Sequence, residues 1–311
     1  MTEFSIDTAA ILEPRADRIA AGISKARPDL EILINPDAAP SGRFAVAAFS
    51  PGEQLSRFSG ASWVHCTGAG TDKLFRALTF TPPVMTRTVG RMGHQMAEYV
   101  LAYVLYHAQK VEARRGHAAR GEWNKWDLEP RFIHGARAVI FGTGDIGRTI
   151  AERLSDFGMV VDGVSRSGTP SAPFRQVVSL DDIESLSLAG VDVVVLALPN
   201  LPGTRGIIDA ALMSRFRKVQ LINVGRGEVL DHEALPAAIS AGHVVSAVLD
   251  VFPEEPLPPQ SPLWRHPQII VTPHVSGITL PEDAAEAFVE ALGRLERGET
   301  PTYPVDPEKG Y

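Results

Sequence analysis

Short apolar runs of strand length alternate along the chain with segments whose apolar residues recur at helical spacing. That alternation is the pattern of parallel sheets linked by crossover helices. The runs are Glu31–Ile34, Ala45–Phe49, Trp63–Cys66, Ala138–Phe141, Val160–Val164, Val193–Leu198, Gln220–Asn223, Val245–Leu249 and Ile269–Val271. Several are nearly continuous Val, Ile and Leu, as expected of strands covered on both faces. Gly93–Val111 has few helix breakers and apolar residues at Met96, Val100, Tyr103, Val104 and Ala108, so it reads as one long helix. The polar stretch from Glu112 to Pro130, with Trp123-Asn124-Lys125-Trp126 inside it, reads as a loop-rich connector. A last helical pattern opens at Pro281-Glu282-Asp283 and runs through Arg297.

The 311 residues are too many for one ordinary α/β domain and suit two. The expected division is a substrate-binding domain of 1–86 plus 278–311 and a second domain of 87–277. The last helix is expected to return to the first domain, which otherwise lacks a covering helix. With 44% hydrophobic and 22% charged residues, disorder is not the default reading. The net charge of −7 argues against a bulk grip on nucleic acid or an anionic membrane, although a local cationic pocket for a small anion remains compatible with it. Cys66 is the one cysteine, so no internal disulfide can form. The start Met1-Thr2-Glu3-Phe4-Ser5 lacks a basic and apolar leader, and the longest apolar run, Val193–Leu198, is far short of a membrane span. A cytoplasmic protein is expected.

The strand Ala138–Phe141 is followed by Gly142-Thr143-Gly144-Asp145-Ile146-Gly147, a helical segment and the strand Val160–Val164. This is G-x-G-x-x-G in a strand–turn–helix–strand unit, the Rossmann dinucleotide signature. Gly142 permits the tight turn, Gly144 lets the backbone approach a pyrophosphate, and Gly147 lets helix and strand pack closely. The amides of Asp145 and Ile146 then sit at a helix N-terminus, where the dipole and free N–H groups favour phosphate. For NAD, an acid about 20 residues on takes the ribose hydroxyls. Here the second strand ends in Ser165-Arg166-Ser167, whose guanidinium and hydroxyls suit a 2′-phosphate, so NADP(H) is favoured with NAD(H) possible. Asp162 is the rival ribose acid, set two or three residues before the strand end.

Three later strand ends carry polar residues: Asn223-Val224-Gly225-Arg226-Gly227, Asp250-Val251-Phe252 through Glu255-Pro256-Leu257, and Thr272-Pro273-His274. Ligands of open parallel sheets lie outside the carboxyl ends of strands, so these residues can converge. Arg226 can bind carboxylate and carbonyl oxygens through its planar fork. His274 can donate a proton, since a histidine's unperturbed pKa of about 6.5 suits neutral pH. Glu255 would fix the ring and favour its charged form. Singly these are an ordinary surface arginine, capping glutamate and structural histidine; behind a dinucleotide turn they read together as a site that reduces a 2-oxo acid. There is no H-E-x-x-H and no cysteine pair, so no metal is expected, and no G-x-S-x-G supports a serine nucleophile.

These motifs resemble the D-isomer-specific 2-hydroxyacid dehydrogenases over nearly the whole chain, with Arg226, Glu255 and His274 in that family's order and 29 and 19 residues apart. The resemblance implies two Rossmann-like domains, 87–277 binding the dinucleotide, with the active site in the cleft between them. It implies Arg226 as the substrate-orienting residue, His274 as acid/base and Glu255 as its partner. His65-Cys66-Thr67-Gly68-Ala69-Gly70 is similar to the family's substrate loop, where amides around Ala69 and Gly70 hold the carboxylate. Met92, Leu198, Pro199, Thr204, Val224, Gly225, Asp250, His274 and Gly277 are implied around the cofactor. Within the family the chain is most similar to the glyoxylate/hydroxypyruvate reductase A branch, through Met92–Tyr99, Ser261–Pro267, Val305-Asp306 and Gly310-Tyr311. That branch prefers NADPH and sets a bulky aromatic over the substrate, here near Ala48-Phe49. The family also implies a homodimer built on the long helix from Gly93. Two other readings stand beside this one: a dinucleotide-sensing binding protein of the same fold, and a related 2-hydroxyacid dehydrogenase with a larger substrate.

Overall fold

The computed structural model describes residues 4–50, 52–126 and 129–306; the start Met1-Thr2-Glu3 and the ending Gly310-Tyr311 quoted above lie outside the described residues. The chain divides into two compact units, Met1–Met92 with Ile278–Tyr311, and Gly93–Gly277. The first opens with β1 (Thr8–Leu12), α1 (Ala16–Ala26), β2 (Glu31–Ile34), β3 (Phe44–Ala48), β4 (Trp63–Cys66), α2 (Asp72–Ala77) and β5 (Met85–Arg87). The chain continues through α3 (Met92–Ala108), α4 (Val111–Ala119), β6 (Arg137–Phe141), α5 (Asp145–Asp156), β7 (Val160–Ser165), β8 (Val177–Ser179) and β9 (Val193–Leu196). It goes on as α6 (Ala210–Ser214), β10 (Val219–Asn223), α7 (Leu235–Ser240), β11 (Val244–Leu249) and β12 (Ile269–Val271), then returns to the first unit as α8 (Pro281–Glu296). Among the described residues the paired strands are all parallel, in the orders β2-β1-β3-β4-β5 and β12-β11-β10-β9-β6-β7-β8. The fold is α/β with two parallel sheets. No helix among the described residues is long and apolar enough to cross a membrane.

Both faces of the first sheet are covered, so alternate residues of one strand enter different cores. Ala9 and Ile11 of β1 face α1 and α8, whereas Ala10 and Leu12 face the opposite core with Phe58 and Leu74. The covering helix that the sequence reading left out is α1, whose Ala16, Ile19, Ala20 and Ile23 form an apolar stripe. It lies close against α8: a Cβ on Gly22 would meet the Ala285 Cβ at 2.6 Å. The crossing expected after residue 86 falls inside β5. The first unit runs on to Met92 because its backbone bonds continue, Arg87 N–H to the Tyr303 carbonyl at 3.1 Å and Thr88 N–H to that of Cys66 at 2.9 Å.

The single helix expected over Gly93–Val111 is interrupted. Lys110 takes a left-handed conformation at φ 49°, and the chain re-enters a helix at Val111. Part of the expected connector is therefore α4. It buries none of its residues, so its sequence carries no amphipathic stripe to reveal it.

His65 is the polar residue at the centre of the first unit. Its Nδ1 lies 2.7 Å from Thr86 Oγ1 and its Nε2 2.9 Å from Thr88 Oγ1, while Trp63 Nε1–H donates to Thr86 Oγ1 at 2.8 Å. Phe288 stacks on Trp63 with ring centroids 4.4 Å apart and meets the His65 ring edge-on. Burial pushes His65 down to about 3, so the folded unit holds a neutral ring. The unfolded chain takes up a proton near pH 6.5 and the folded chain does not. Stability is therefore full above about pH 6.5 and is lost as the pH falls toward about 3, by an amount on the order of a few kcal/mol at about 1.36 kcal/mol per unit. Urea unfolding followed from about pH 7 to about pH 4 should show this loss, and His65→Gln should flatten it; a slope unchanged in the variant would contradict the assignment.

Candidate active site

In the second sheet the strand order reverses between β6 and β9, and the crevice above that point is where open α/β sheets take ligands. The β6–α5 turn there is shaped by three glycines. Gly142 has φ 106°, donates its N–H to Val164 O at 2.7 Å, and would bring a Cβ to 2.6 Å from Ala197 O. A Cβ on Gly147 would lie 1.8 Å from Gly142 O, so only glycine fits. Gly144 differs, since nothing stands within 4 Å of its would-be Cβ. It is the N-cap of α5 and no side chain caps that helix, so the first-turn amides of Asp145, Ile146 and Gly147 border open space. An open cradle at an uncapped helix N-terminus fits a diphosphate.

The end of β7 separates the two candidates for reading the ribose. Asp162 is fully buried, and its carboxylate accepts from Arg137 Nη2 at 3.0 Å and from Arg175 Nε and Nη2 at 2.8 and 2.6 Å. It is part of the interior and is not available to a ribose. Ser165, exposed Arg166 and exposed Ser167 form the tip, where Ser165 Oγ accepts from Gly168 N–H at 3.1 Å and the Ser167 and Thr169 hydroxyls lie 2.8 Å apart.

The neighbouring loops meet backbone to backbone. A Cβ on Gly225 would lie 2.7 Å from Leu198 O, which sets Val224-Gly225 beside Leu198-Pro199. Thr204 is buried and its hydroxyl donates to Pro199 O at 2.5 Å, closing the 199–204 loop. Asn223 shapes the arginine turn, accepting from Gly225 N–H and donating to Arg226 O, both at 3.1 Å. Arg226 Nη1 donates to Gly225 O at 2.8 Å.

The histidine turn is organised by Asp250, a fully buried acid. Its carboxylate accepts from the Thr272 hydroxyl at 2.6 Å, Val275 N–H at 2.9 Å and Ser276 N–H at 2.8 Å, and its carbonyl accepts from His274 N–H at 2.9 Å. These bonds hold His274 at φ 55°, a conformation rare outside glycine. Its Nδ1 then lies 2.8 Å from Glu255 Oε2, while Glu255 Oε1 accepts from Phe252 N–H at 3.1 Å. The imidazole keeps 43% of its surface accessible. Tyr99 of α3 lies 2.6 Å from the Thr272 hydroxyl, and burial pushes its phenol well above the ordinary tyrosine range. Thr272, Asn223 and Tyr99 all stand inside the quoted motifs, the last at the end of Met92–Tyr99, but their bonds to the histidine and arginine turns are tertiary contacts that no local pattern encodes.

Ala69 and Gly70 belong to the first unit, and Met92 and Gly277 stand at the unit ends. Arg87 Nη1 donates to Ala69 O at 2.8 Å, fixing the loop from behind. Phe49 packs against that loop: a Cβ on Gly68 would be 2.5 Å from its ring carbons. Among the described residues no cluster of three His, Cys, Asp or Glu could hold a metal.

The family model for the D-isomer specific 2-hydroxyacid dehydrogenase, NAD binding domain, matches residues 101–276. A glyoxylate/hydroxypyruvate reductase A from Photorhabdus laumondii is 36% identical over 278 residues, 86% of this chain and 87% of the relative. One from Serratia proteamaculans is 30% identical over 95% of this chain and 96% of its own length. Two solved structures superpose with TM-scores of 0.85, each covering 99% of this chain and 100% of its own. One is a D-isomer specific 2-hydroxyacid dehydrogenase from Xanthobacter autotrophicus Py2 in complex with NADPH and MES, 32% identical. The other is an NADPH-dependent glyoxylate/hydroxypyruvate reductase from Sinorhizobium meliloti in complex with NADP and sulfate, 26% identical.

Asp250→Asn keeps the shape of the group that holds the histidine turn but turns an amide N–H₂ toward at least one donor. Leaving a buried donor without an acceptor costs about 1–3 kcal/mol. A lower melting temperature together with a loss of turnover is expected, and full turnover in the variant would show that the turn does not depend on this carboxylate.

Proposed function

The chain is an oxidoreductase that belongs to the D-isomer specific 2-hydroxyacid dehydrogenase family, and within it we propose that it reduces small 2-oxo acids, glyoxylate and hydroxypyruvate, to D-2-hydroxy acids with NADPH. The observation that carries the reading is the 2.8 Å contact between His274 Nδ1 and Glu255 in a turn pinned by Asp250. A carboxylate on Nδ1 keeps a proton there and orients the ring, so Nε2 is the position from which a proton reaches the ketone oxygen. Arg226 takes the carboxylate and carbonyl oxygens through its fork. Phe49, packed on the substrate loop, favours short substrates.

The Gly142–Gly147 turn, Leu198-Pro199, Val224-Gly225 and the Ser165-Arg166-Ser167 tip would hold the dinucleotide. When bound in reduced form it supplies the hydride. The tip supports NADPH, because Asp162 is engaged with two arginines and the strand end presents a cation between hydroxyls. The relatives from Xanthobacter and Sinorhizobium, solved with NADPH and NADP, support the same choice.

We also propose a homodimer. Trp123, Trp126 and Phe132 are 97%, 82% and 88% exposed in the segment that follows α4, and large apolar side chains in water mark interaction sites where they gather in a patch. Light scattering at micromolar concentration should give twice the chain mass, and the mass of one chain would refute the pairing.

A panel of 2-oxo acids assayed with NADPH and with NADH tests the activity, with glyoxylate and hydroxypyruvate plus NADPH expected to be turned over best. Arg166→Ala should weaken NADPH about tenfold to a hundredfold more than NADH, the worth of a charge-assisted contact. His274→Ala should cost about 10²–10⁴-fold in kcat while NADPH binding is kept. Equal loss for both cofactors would overturn the NADPH assignment, and near-normal turnover by His274→Ala would overturn the acid.

A further inference from the structure

The link between β10 and α7 carries a histidine that the reaction as described does not use. His232 is partly buried, and its Nε2 lies 3.0 Å from the carbonyl of Gly227. A carbonyl only accepts, so Nε2 carries the hydrogen and donates it. The other ring nitrogen, Nδ1, is buried with no hydrogen-bond partner among the described residues. Burial lowers the ring's affinity for a second proton, which agrees with a neutral ring used as a one-sided donor. The ring lies beside that of Phe252, with centroids 5.8 Å apart and planes tilted by 48°.

Those two contacts reach the two loops that carry the site. Gly227 directly follows Arg226. Phe252 gives its N–H to Glu255 Oε1 at 3.1 Å, and Glu255 holds His274 Nδ1. The two loops also touch directly: a Cβ on Gly227 would come within 2.0 Å of the Phe252 carbonyl carbon and 2.3 Å of Pro253 N. A contact so close has no slack, so a small displacement of either loop is passed to the other. Lining up a guanidinium and an imidazole on one small substrate needs that precision, because reacting groups lose much of their effect when misplaced by an ångström.

We propose that His232 is a positioning residue, clasping the Arg226 loop through its hydrogen bond to Gly227 and the Glu255 loop through its packing on Phe252. The proposal rests on the reading of Arg226 as the substrate-orienting group. Its two contacts can be removed separately. His232→Phe keeps an aromatic ring against Phe252 and loses the donor. His232→Gln keeps an N–H near the position of Nε2 and loses the ring. His232→Ala loses both.

Steady-state kinetics with glyoxylate and NADPH, together with NADPH titration of each variant, tests the clasp. His232→Phe should raise the KM for glyoxylate about three- to tenfold, the worth of one hydrogen bond, with kcat and the NADPH dissociation constant unchanged. His232→Gln should bring KM back toward wild type. His232→Ala should raise KM and also lower kcat, since the Glu255 loop that holds His274 is then loosened. Arg226→Gln is run alongside. A large rise in KM for Arg226→Gln with none for His232→Phe would overturn the clasp alone; no rise for Arg226→Gln would overturn the reading of Arg226 on which it rests. A loss in His232→Phe spread evenly over KM, kcat and NADPH binding, and not relieved in His232→Gln, would mark His232 as a general stabilising residue and overturn the proposal.

Discussion

The buried carboxylate of Asp250 is the constraint on which the rest of the site depends. A fully buried acid is costly unless its oxygens are bonded, and this one receives a hydroxyl and two backbone N–H groups, all from residues 272–276. Satisfying them forces the chain after β12 to double back over the end of β11, which sets His274 in a left-handed conformation and aims its ring at Glu255. The strain in one residue is thus held by four hydrogen bonds to Asp250, three to the carboxylate and one to the carbonyl. Tyr99 adds a tie from α3 through the Thr272 hydroxyl, so a helix distant in sequence also fixes the turn.

The glycines do corresponding work for the backbone. Gly142, Gly225 and Gly227 each occupy a place where a methyl group would collide with main-chain atoms of a neighbouring loop, and at Gly147 it would collide with the Gly142 carbonyl of the same turn. The loops above β6, β9, β10 and β11 can therefore close onto one another at the carboxyl ends of the sheet. Gly144 breaks this pattern and faces open space, the one glycine of the turn whose missing side chain leaves room for a ligand.

What the sequence made legible follows from where the chemistry lies. The dinucleotide turn and the Arg226, Glu255 and His274 strand ends could be read because each follows an apolar run long enough to be recognised. Strands β5 and β8 are as short as β12, but Thr86-Arg87 and Ser179 break the apolar run that makes β12 legible, and β1 reads weakly because Ala9 and Ala10 carry little hydrophobic signal although both are wholly buried. The stripe of α1 was present in the sequence at Ala16, Ile19, Ala20 and Ile23, but its alanines made it faint. Helix α4 buries nothing, so no periodicity marks it. The engagement of Asp162 with Arg137 and Arg175, 25 and 13 residues away, is a tertiary fact that no local pattern encodes. The same holds for Tyr99 and Thr272, 173 residues apart.

The central claim is that Glu255, bonded to one nitrogen of His274, fixes the ring so that the other nitrogen can pass a proton to the ketone. Glu255→Ala removes the group that holds the ring and leaves the imidazole itself in place. The most direct measurement is kcat for 2-oxo acid reduction by the wild type and by this variant, with NADPH binding titrated alongside. The account predicts a fall in kcat of up to about 10²–10⁴-fold, the worth of a positioned general acid, with NADPH binding kept. An unchanged kcat in the variant would contradict it.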